Sequence, residues 1–200
     1  LIFFVTCLAS LLQAEKNSSP NIVFLLSDDQ SYTDYSFMGH DIIKTPYLDK
    51  LAKQSVVFKR GYVPIALCRP SIMSMVTGHY PHTHLVTGND PSAKYFEDRD
   101  AAKAKMIENV DRFRIIPRIL VEEKGYLAHQ SGKWWEGSYQ RGGFTHGMTR
   151  GFPEKGGRHG DDGLKIGRDG LKEVEDFLDL AQKEDKPFFL FYAPFLPHTP

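Results

Sequence analysis

Cys68 stands where a cysteine can take part in chemistry. It precedes Pro70 and a short apolar run that ends at Gly78. Proline is favoured at the first position of a helix and glycine just past its end. The sequence therefore predicts that Cys68 lies at a helix N-terminus, where backbone N–H groups and the helix dipole favour negative charge. A cysteine in such a place is either activated as a thiolate or converted into another group, whereas a buried structural role is the commoner fate of free cysteines.

Four other side chains that could do chemistry follow apolar segments, namely Asp28, Asp29, Lys133 and His198. Adjacent carboxylates at a strand end suit a hard divalent cation, which prefers oxygen ligands, although such pairs also serve as caps and turns. Lys133 is either an anion ligand in a turn or a solvated surface lysine. His198, held between two prolines, is a candidate proton donor or anion ligand, although a lone histidine in a loop is more often neither.

The elements that must position these side chains are apolar strands alternating with helices. Residues 21–27 form a continuous apolar run, typical of a strand buried on both faces of a parallel sheet. The alternation predicts an α/β fold with a doubly wound, largely parallel sheet flanked by helices. Ligands of such sheets gather beyond the carboxyl ends of the strands, so the five side chains should converge on one edge. Strands are predicted over residues 21–27, 56–62, 126–131 and 188–193, and helices over 45–52, 100–109, 117–124 and 171–184.

Two further segments bear on the site. The glycine-rich residues 142–170 are typical of a long active-site loop. Trp134 and Trp135 directly follow Lys133; they favour a place in the core, with stacking on a sugar ring as the alternative.

Composition limits the class of protein. The 200 residues suffice for one α/β domain with a substantial core. The 25 basic and 25 acidic residues balance, so nothing indicates a nucleic acid or an anionic membrane surface as a partner.

The N-terminal residues 1–14 read as a secretory signal peptide that lacks its charged start. The run from Leu1 to Leu12 is apolar and uncharged, and Ala14 is a small residue suited to cleavage. The run is too short for a transmembrane segment, so we expect a secreted or periplasmic protein. The alternatives are a buried core strand and a lipoprotein signal that uses Cys7. Removal of the signal would leave Cys68 as the sole cysteine, which points to a reactive or modified residue.

Taken together, these residues resemble the sulfatase family of the alkaline-phosphatase-like superfamily. The resemblance covers residues 21–200, which would be the N-terminal part of a sulfatase catalytic domain. It is carried by residues 21–29, Cys68-Arg69-Pro70-Ser71 with Thr77-Gly78, Gly132-Lys133-Trp134 and residues 197–200.

The resemblance implies a mechanism and a set of roles. A formylglycine-generating maturation enzyme would oxidise Cys68 to formylglycine, whose hydrated aldehyde attacks sulfur and later expels sulfate. Asp28, Asp29 and Cys68 would lie at a calcium ion, which polarises sulfate oxygens. Lys133 and His198 would contact the nucleophile and the sulfate, with His198 as candidate proton donor. The substrate would be a sulfated carbohydrate or aryl ester, and further metal ligands would follow residue 200, so residues 1–200 alone would be inactive.

Two positions depart from the family pattern. The pattern Cys-x-Pro-x-Arg has Ile72 at its arginine, which in the family helps the maturation enzyme recognise the site and steadies formylglycine. Trp135 stands where the family usually has a histidine, and His129 or His146 could fill that space. Two alternatives stay open: a phosphate or phosphonate ester hydrolase of the same superfamily, and a non-catalytic protein that binds sulfated glycans.

Overall fold

A four-stranded parallel sheet forms the centre of the structure. The computed structural model describes residues 19–92, 94, 96–154 and 162–198, so the predicted signal peptide over residues 1–14 lies outside the described residues. The strand order is β1-β4-β2-β3, and all three neighbouring pairs are parallel. The prediction of a parallel sheet is confirmed. The strands are β1 (Ile22–Leu25), β2 (Leu127–Gly132), β3 (His146–Gly147) and β4 (Phe188–Ala193).

Helices connect and cover the strands. Among the described residues, none of them is long and apolar enough to cross a membrane. The helices are α1 (Pro46–Ala52), α2 (Cys68–Thr77), α3 (Pro81–His84), α4 (Arg99–Ile107), α5 (Ile116–Arg118, continued as a π-helix over Ile119–Glu123) and α6 (Lys172–Lys183), with 3-10 turns at Ser36–Met38, Glu108–Arg112 and Asp162–Lys165.

The sheet is covered on both faces because successive side chains of a strand point to opposite sides. On one face, Phe191 of β4 joins a buried cluster with Met73 of α2 and Trp134. On the other face, its neighbour Leu190 joins a second cluster with Phe177 of α6. The doubly wound arrangement predicted from the sequence is therefore confirmed. Trp134 takes the core role, since its ring is fully buried and meets Phe191 edge to face.

Two details of the predicted strands are wrong. β1 is not buried on both faces: Val23 and Leu25 are 60% and 54% exposed, whereas Ile22 and Phe24 pack against the core. β1 pairs only with β4 among the described strands. α6 packs on the neighbouring strands β2 and β4. The segment 56–62 forms no strand, and Phe58 is 84% exposed. No described strand lies beside this segment to accept its backbone hydrogen bonds.

Candidate active site

The two aspartates follow β1 after two intervening residues, slightly farther along than the predicted strand over 21–27 implied. The Asp28 N–H donates to Leu196 O (3.0 Å), which fixes it against the segment that follows β4. The Asp28 side chain is only 7% exposed. Asp29 takes a positive φ of 55°, a left-handed conformation that aspartate tolerates better than most residues. The chain therefore turns sharply between a buried and an exposed carboxylate.

Cys68 is the first residue of α2, two positions before the proline that the sequence pattern placed first. Pro70 has no amide hydrogen, Ser71 N–H bonds back across the turn, and Arg69 N–H donates to Asn89 Oδ1 (2.9 Å). Within the described residues, the Cys68 amide is therefore the first-turn N–H without a hydrogen-bond partner. A negative charge at this helix end would therefore meet the backbone N–H of Cys68 itself.

Gly132 places Lys133 at the carboxyl end of β2. Gly132 has φ +82°, and a Cβ there would lie 1.8 Å from Ala193 O, so the close approach of β2 to β4 requires glycine. Lys133 N–H donates to Ala193 O (2.8 Å). Its ammonium lies over the rings of Phe195 (4.5 Å) and Trp135 (5.4 Å), a favourable cation–π arrangement. No sequence pattern indicates these ring contacts.

The structure brings Cys68, Lys133 and Asp28 into direct contact. Lys133 Nζ lies 3.4 Å from Cys68 Sγ and forms an ion pair with Asp28 Oδ2. Cys68 Sγ lies 3.7 Å from Asp28 Oδ1. Ligand atoms of Asp28, Asp29 and Cys68 all lie within 4.8 Å of one another. Oδ2 of Asp28 is buried and, apart from its ion pair, accepts no hydrogen bond within the described part of the chain.

His198 completes the group on the same edge of the sheet. Its Nε2 lies 3.5 Å from Asp29 Oδ2, and its ring stacks on Phe195 at 4.6 Å with an interplanar angle of 24°. The side chain is half-buried, so it is oriented by the stack and still reachable from solvent. All five residues predicted from the sequence therefore lie together.

Asp28, Asp29, Cys68 and Lys133 line a cavity of about 460 Å³, whereas His198 does not line it. Asp28, Asp29 and Lys133 form its charged wall, and Ile72 and Met75 of α2 contribute apolar lining. None of the described residues of the predicted active-site loop 142–170 lines this cavity. A cavity of this size suits a small ligand or one unit of a larger chain.

Ile72 and Arg69 show how this site departs from the family pattern. Ile72 is 5% exposed and belongs to the core while touching the cavity. Arg69 does not replace the missing arginine, because its guanidinium binds Glu136 with both contacts at 2.7 Å, away from the cavity. Glu136, a residue that the sequence did not single out, is 2% exposed.

Neither histidine suggested for the space at Trp135 reaches the cavity. His129 of β2 and His146 of β3 are register partners and pack on Phe177 of α6, with ring centroids at 5.0 and 5.7 Å. Burial lowers the pKa of His129 to about 4, so this residue is a neutral part of the core. That suggestion was wrong because both rings pack against α6 and not toward the cavity.

Comparison with known proteins decides the family. A family model described as Sulfatase matches residues 20–200. The chain belongs to the sulfatase family. This sulfatase-family chain is 27% identical to N-acetylgalactosamine-6-sulfatase of Canis lupus familiaris, over 100% of the chain and 44% of that protein. It is 30% identical to N-acetylglucosamine-6-sulfatase of Homo sapiens, over 97% of the chain and 37% of that protein. The chain thus spans less than half the length of these relatives.

Solved structures give the same fold. Ps i-CgsB superimposes with a TM-score of 0.64 at 25% identity, covering 92% of this chain and 46% of that one. The phosphonate monoester hydrolase of Agrobacterium radiobacter has a TM-score of 0.58 at 17% identity, covering 90% of this chain and 42% of that one. The second match shows the alkaline-phosphatase-like fold alone.

The donor set fits the metal ion that sulfatases generally use. Two carboxylates and the Cys68 position converge, with ligand atoms within 4.8 Å of one another. Oxygen donors of this kind favour a hard divalent ion.

Proposed function

We propose that this chain carries the nucleophile side of a sulfuric ester hydrolase site that acts on a sulfated carbohydrate or aryl ester. The observation that carries the proposal is the contact of Lys133 Nζ with both Cys68 Sγ (3.4 Å) and the Asp28 carboxylate at the floor of the cavity. The names of the relatives, which include sulfatases of N-acetylated amino sugars, support this substrate class.

Cys68 would be the catalytic nucleophile after oxidation to formylglycine by a maturation enzyme. Formylglycine would supply a hydrated aldehyde whose oxygen attacks sulfur. The Lys133 ammonium lies where it can donate a hydrogen bond to that oxygen and offset its negative charge. Because Lys133 is nearly buried and ion-paired with Asp28, its charge acts in a place from which water is largely excluded.

Asp28 and Asp29 would hold a calcium ion beside the Cys68 position. When bound, calcium would polarise the sulfate oxygens and favour the deprotonated nucleophile. The two aspartates differ in burial, so Asp28 would be the fixed ligand and Asp29 the one that faces incoming substrate.

His198 would donate the proton to the leaving oxygen. Its ring is oriented by Phe195, and its Nε2 lies 3.5 Å from Asp29 Oδ2. A positioned acid of this kind contributes typically about 10²–10⁴-fold to the rate.

Export by the signal peptide over residues 1–14 remains part of the proposal. It would deliver the protein to the secreted or periplasmic space, where polymeric sulfated glycans are accessible.

A turnover comparison tests the function. We expect the whole protein to hydrolyse an aryl sulfate faster than the matching aryl phosphate, and faster with calcium than with manganese. Lys133→Met should lower kcat by roughly 10²–10³-fold, the effect of losing one stabilising donor. Cys68→Ala should abolish turnover, with its thermal unfolding curve as the control for folding.

Two results would contradict the proposal. Preference for the phosphate with manganese would favour the phosphate or phosphonate hydrolase. Glycan binding that survives Cys68→Ala, together with no turnover by the unsubstituted protein, would favour a non-catalytic binding protein, the alternative suggested by Ile72 and Trp135.

A further inference from the structure

Arg69 and Glu136 form a buried ion pair directly behind the candidate site. Both side chains are 3% exposed, and the guanidinium meets the carboxylate through Nε and Nη2 at 2.7 Å each. The two residues are 67 positions apart. Arg69 follows Cys68 at the start of α2, and Glu136 lies three positions after Lys133. The pair therefore joins the two segments that carry the contacting groups.

Asn89 binds the same arginine from a third segment. Its side-chain oxygen accepts the Arg69 N–H (2.9 Å), and its carbonyl oxygen lies 3.4 Å from Arg69 Nη1. Arg69 is thus held through its backbone and through three guanidinium nitrogens. A planar fork bound in this way leaves little freedom of position or rotation to the residue next to it.

The pair does not act on substrate directly. Neither Arg69 nor Glu136 lines the cavity, and each is covered by neighbouring residues. A buried ion pair also adds little stability compared with well-packed apolar residues of similar volume. What apolar residues do not reproduce is a two-point connection with a fixed orientation between two segments.

We propose that Arg69 and Glu136 are positioning residues: their ion pair holds the start of α2 against the loop after β2 and so keeps Cys68 beside Lys133. The proposal rests on the proposed function of Cys68 and Lys133, and its test includes a measurement that needs no sulfatase activity. In this chain the arginine of the family pattern is replaced by Ile72, so the geometry at Cys68 depends on contacts of this kind.

The first experiment compares the apolar pair Arg69→Met/Glu136→Leu with Lys172→Met/Asp176→Leu. The control pair is an exposed ion pair within α6, and neither of its residues lines the cavity. Turnover is expressed per formylglycine, measured by mass spectrometry, so that incomplete maturation does not enter. We expect kcat to fall at least about tenfold in the buried-pair variant with KM nearly unchanged, because small misplacement of reacting groups lowers rates strongly. The control pair should match the unsubstituted protein.

The second experiment measures how fast iodoacetamide alkylates Cys68 in protein whose cysteine has not been converted. The apolar pair should change the alkylation rate in the same direction, and about as far, as Lys133→Met does, because both variants remove the contact of Lys133 Nζ with Cys68 Sγ. This measurement is valid even when the protein lacks sulfatase turnover, which separates failure of this proposal from failure of the proposed function.

The variants must be shown to fold before their rates are compared. Thermal unfolding shows whether the apolar pair folds; if it does not, Arg69→Lys keeps the charge but loses the fork and should show the same losses to a smaller degree. A folded variant with unchanged kcat per formylglycine and unchanged alkylation rate would overturn the proposal.

Discussion

Ile72 is the single residue that most distinguishes this site. Its side chain fills the core and also lines the cavity beside Cys68, where the family pattern carries arginine. The positive charge in contact with Cys68 therefore comes from Lys133, itself steadied by Trp135 and Phe195. Of the two departures from the pattern, Ile72 thus lines the cavity with Cys68, and Trp135 contacts Lys133.

The variant Ile72→Arg tests how the absence of the family's arginine affects the conversion of Cys68 and the stability of the fold. We expect Ile72→Arg to raise the fraction of Cys68 converted to formylglycine when the maturation enzyme is co-expressed, since the family's arginine aids recognition. It should also lower the free energy of unfolding by about 1–3 kcal/mol, because a polar group enters a position only 5% exposed. Ile72→Met conserves volume and serves as the control. Equal conversion in the arginine and methionine variants would contradict the expectation.

At the scale of elements, the close approach of β2 and β4 positions the charged wall. Lys133 follows β2 directly, and the segment after β4 carries His198 and binds Asp28 through Leu196 O. Gly132 lies opposite Ala193 at the carboxyl ends of these paired parallel strands, where its missing side chain leaves room for Ala193 O.

Gly132→Ala should lower the free energy of unfolding far more than Gly125→Ala does. Both glycines have positive φ, +82° and +71°, but a Cβ at Gly125 meets nothing within 4 Å whereas one at Gly132 meets Ala193 O at 1.8 Å. We expect Gly125→Ala to cost about 1–2 kcal/mol of unfolding free energy from backbone strain alone. Gly132→Ala should cost clearly more and should weaken the site as Lys133 moves. Equal losses, measured by urea unfolding, would show that the close approach is unimportant.

The helices and strands differ in how well the sequence predicts them. β4 and α6 were predicted closely because their apolar patterns are strong and local. β2 was also predicted to within one residue, although four of its six residues, His129 to Gly132, are polar or glycine. The exposure of Val23 and the absence of a strand over residues 56–62 could not be predicted, because an apolar run does not reveal which neighbour covers it or pairs with it.

At the scale of the whole molecule, the convergence of the five site residues was predictable because the carboxyl ends of parallel strands share one edge. The Arg69–Glu136 pair was not, since it depends on packing between segments 67 positions apart. The location of His129 was missed for a similar reason, because its contact with Phe177 arises only when α6 covers the sheet.

The fold should lose stability in acid, and His129 should account for part of that loss. Burial lowers its pKa from 6.5 to about 4, so between these values the unfolded chain binds a proton that the folded chain does not. This contribution is fully present above pH 6.5, is lost as the pH falls to about 4, and amounts to about 3 kcal/mol. Urea unfolding of the unsubstituted protein and of His129→Gln should therefore give curves of stability against pH that converge on acidification. Parallel curves would contradict this assignment.

The mass of the proteolytic peptide that contains Cys68, from whole protein made in its native host, shows whether this cysteine becomes the nucleophile. We predict that active preparations carry the aldehyde of formylglycine at position 68, confirmed by hydrazone formation. An intact Cys68 thiol in a preparation that hydrolyses aryl sulfate would contradict it.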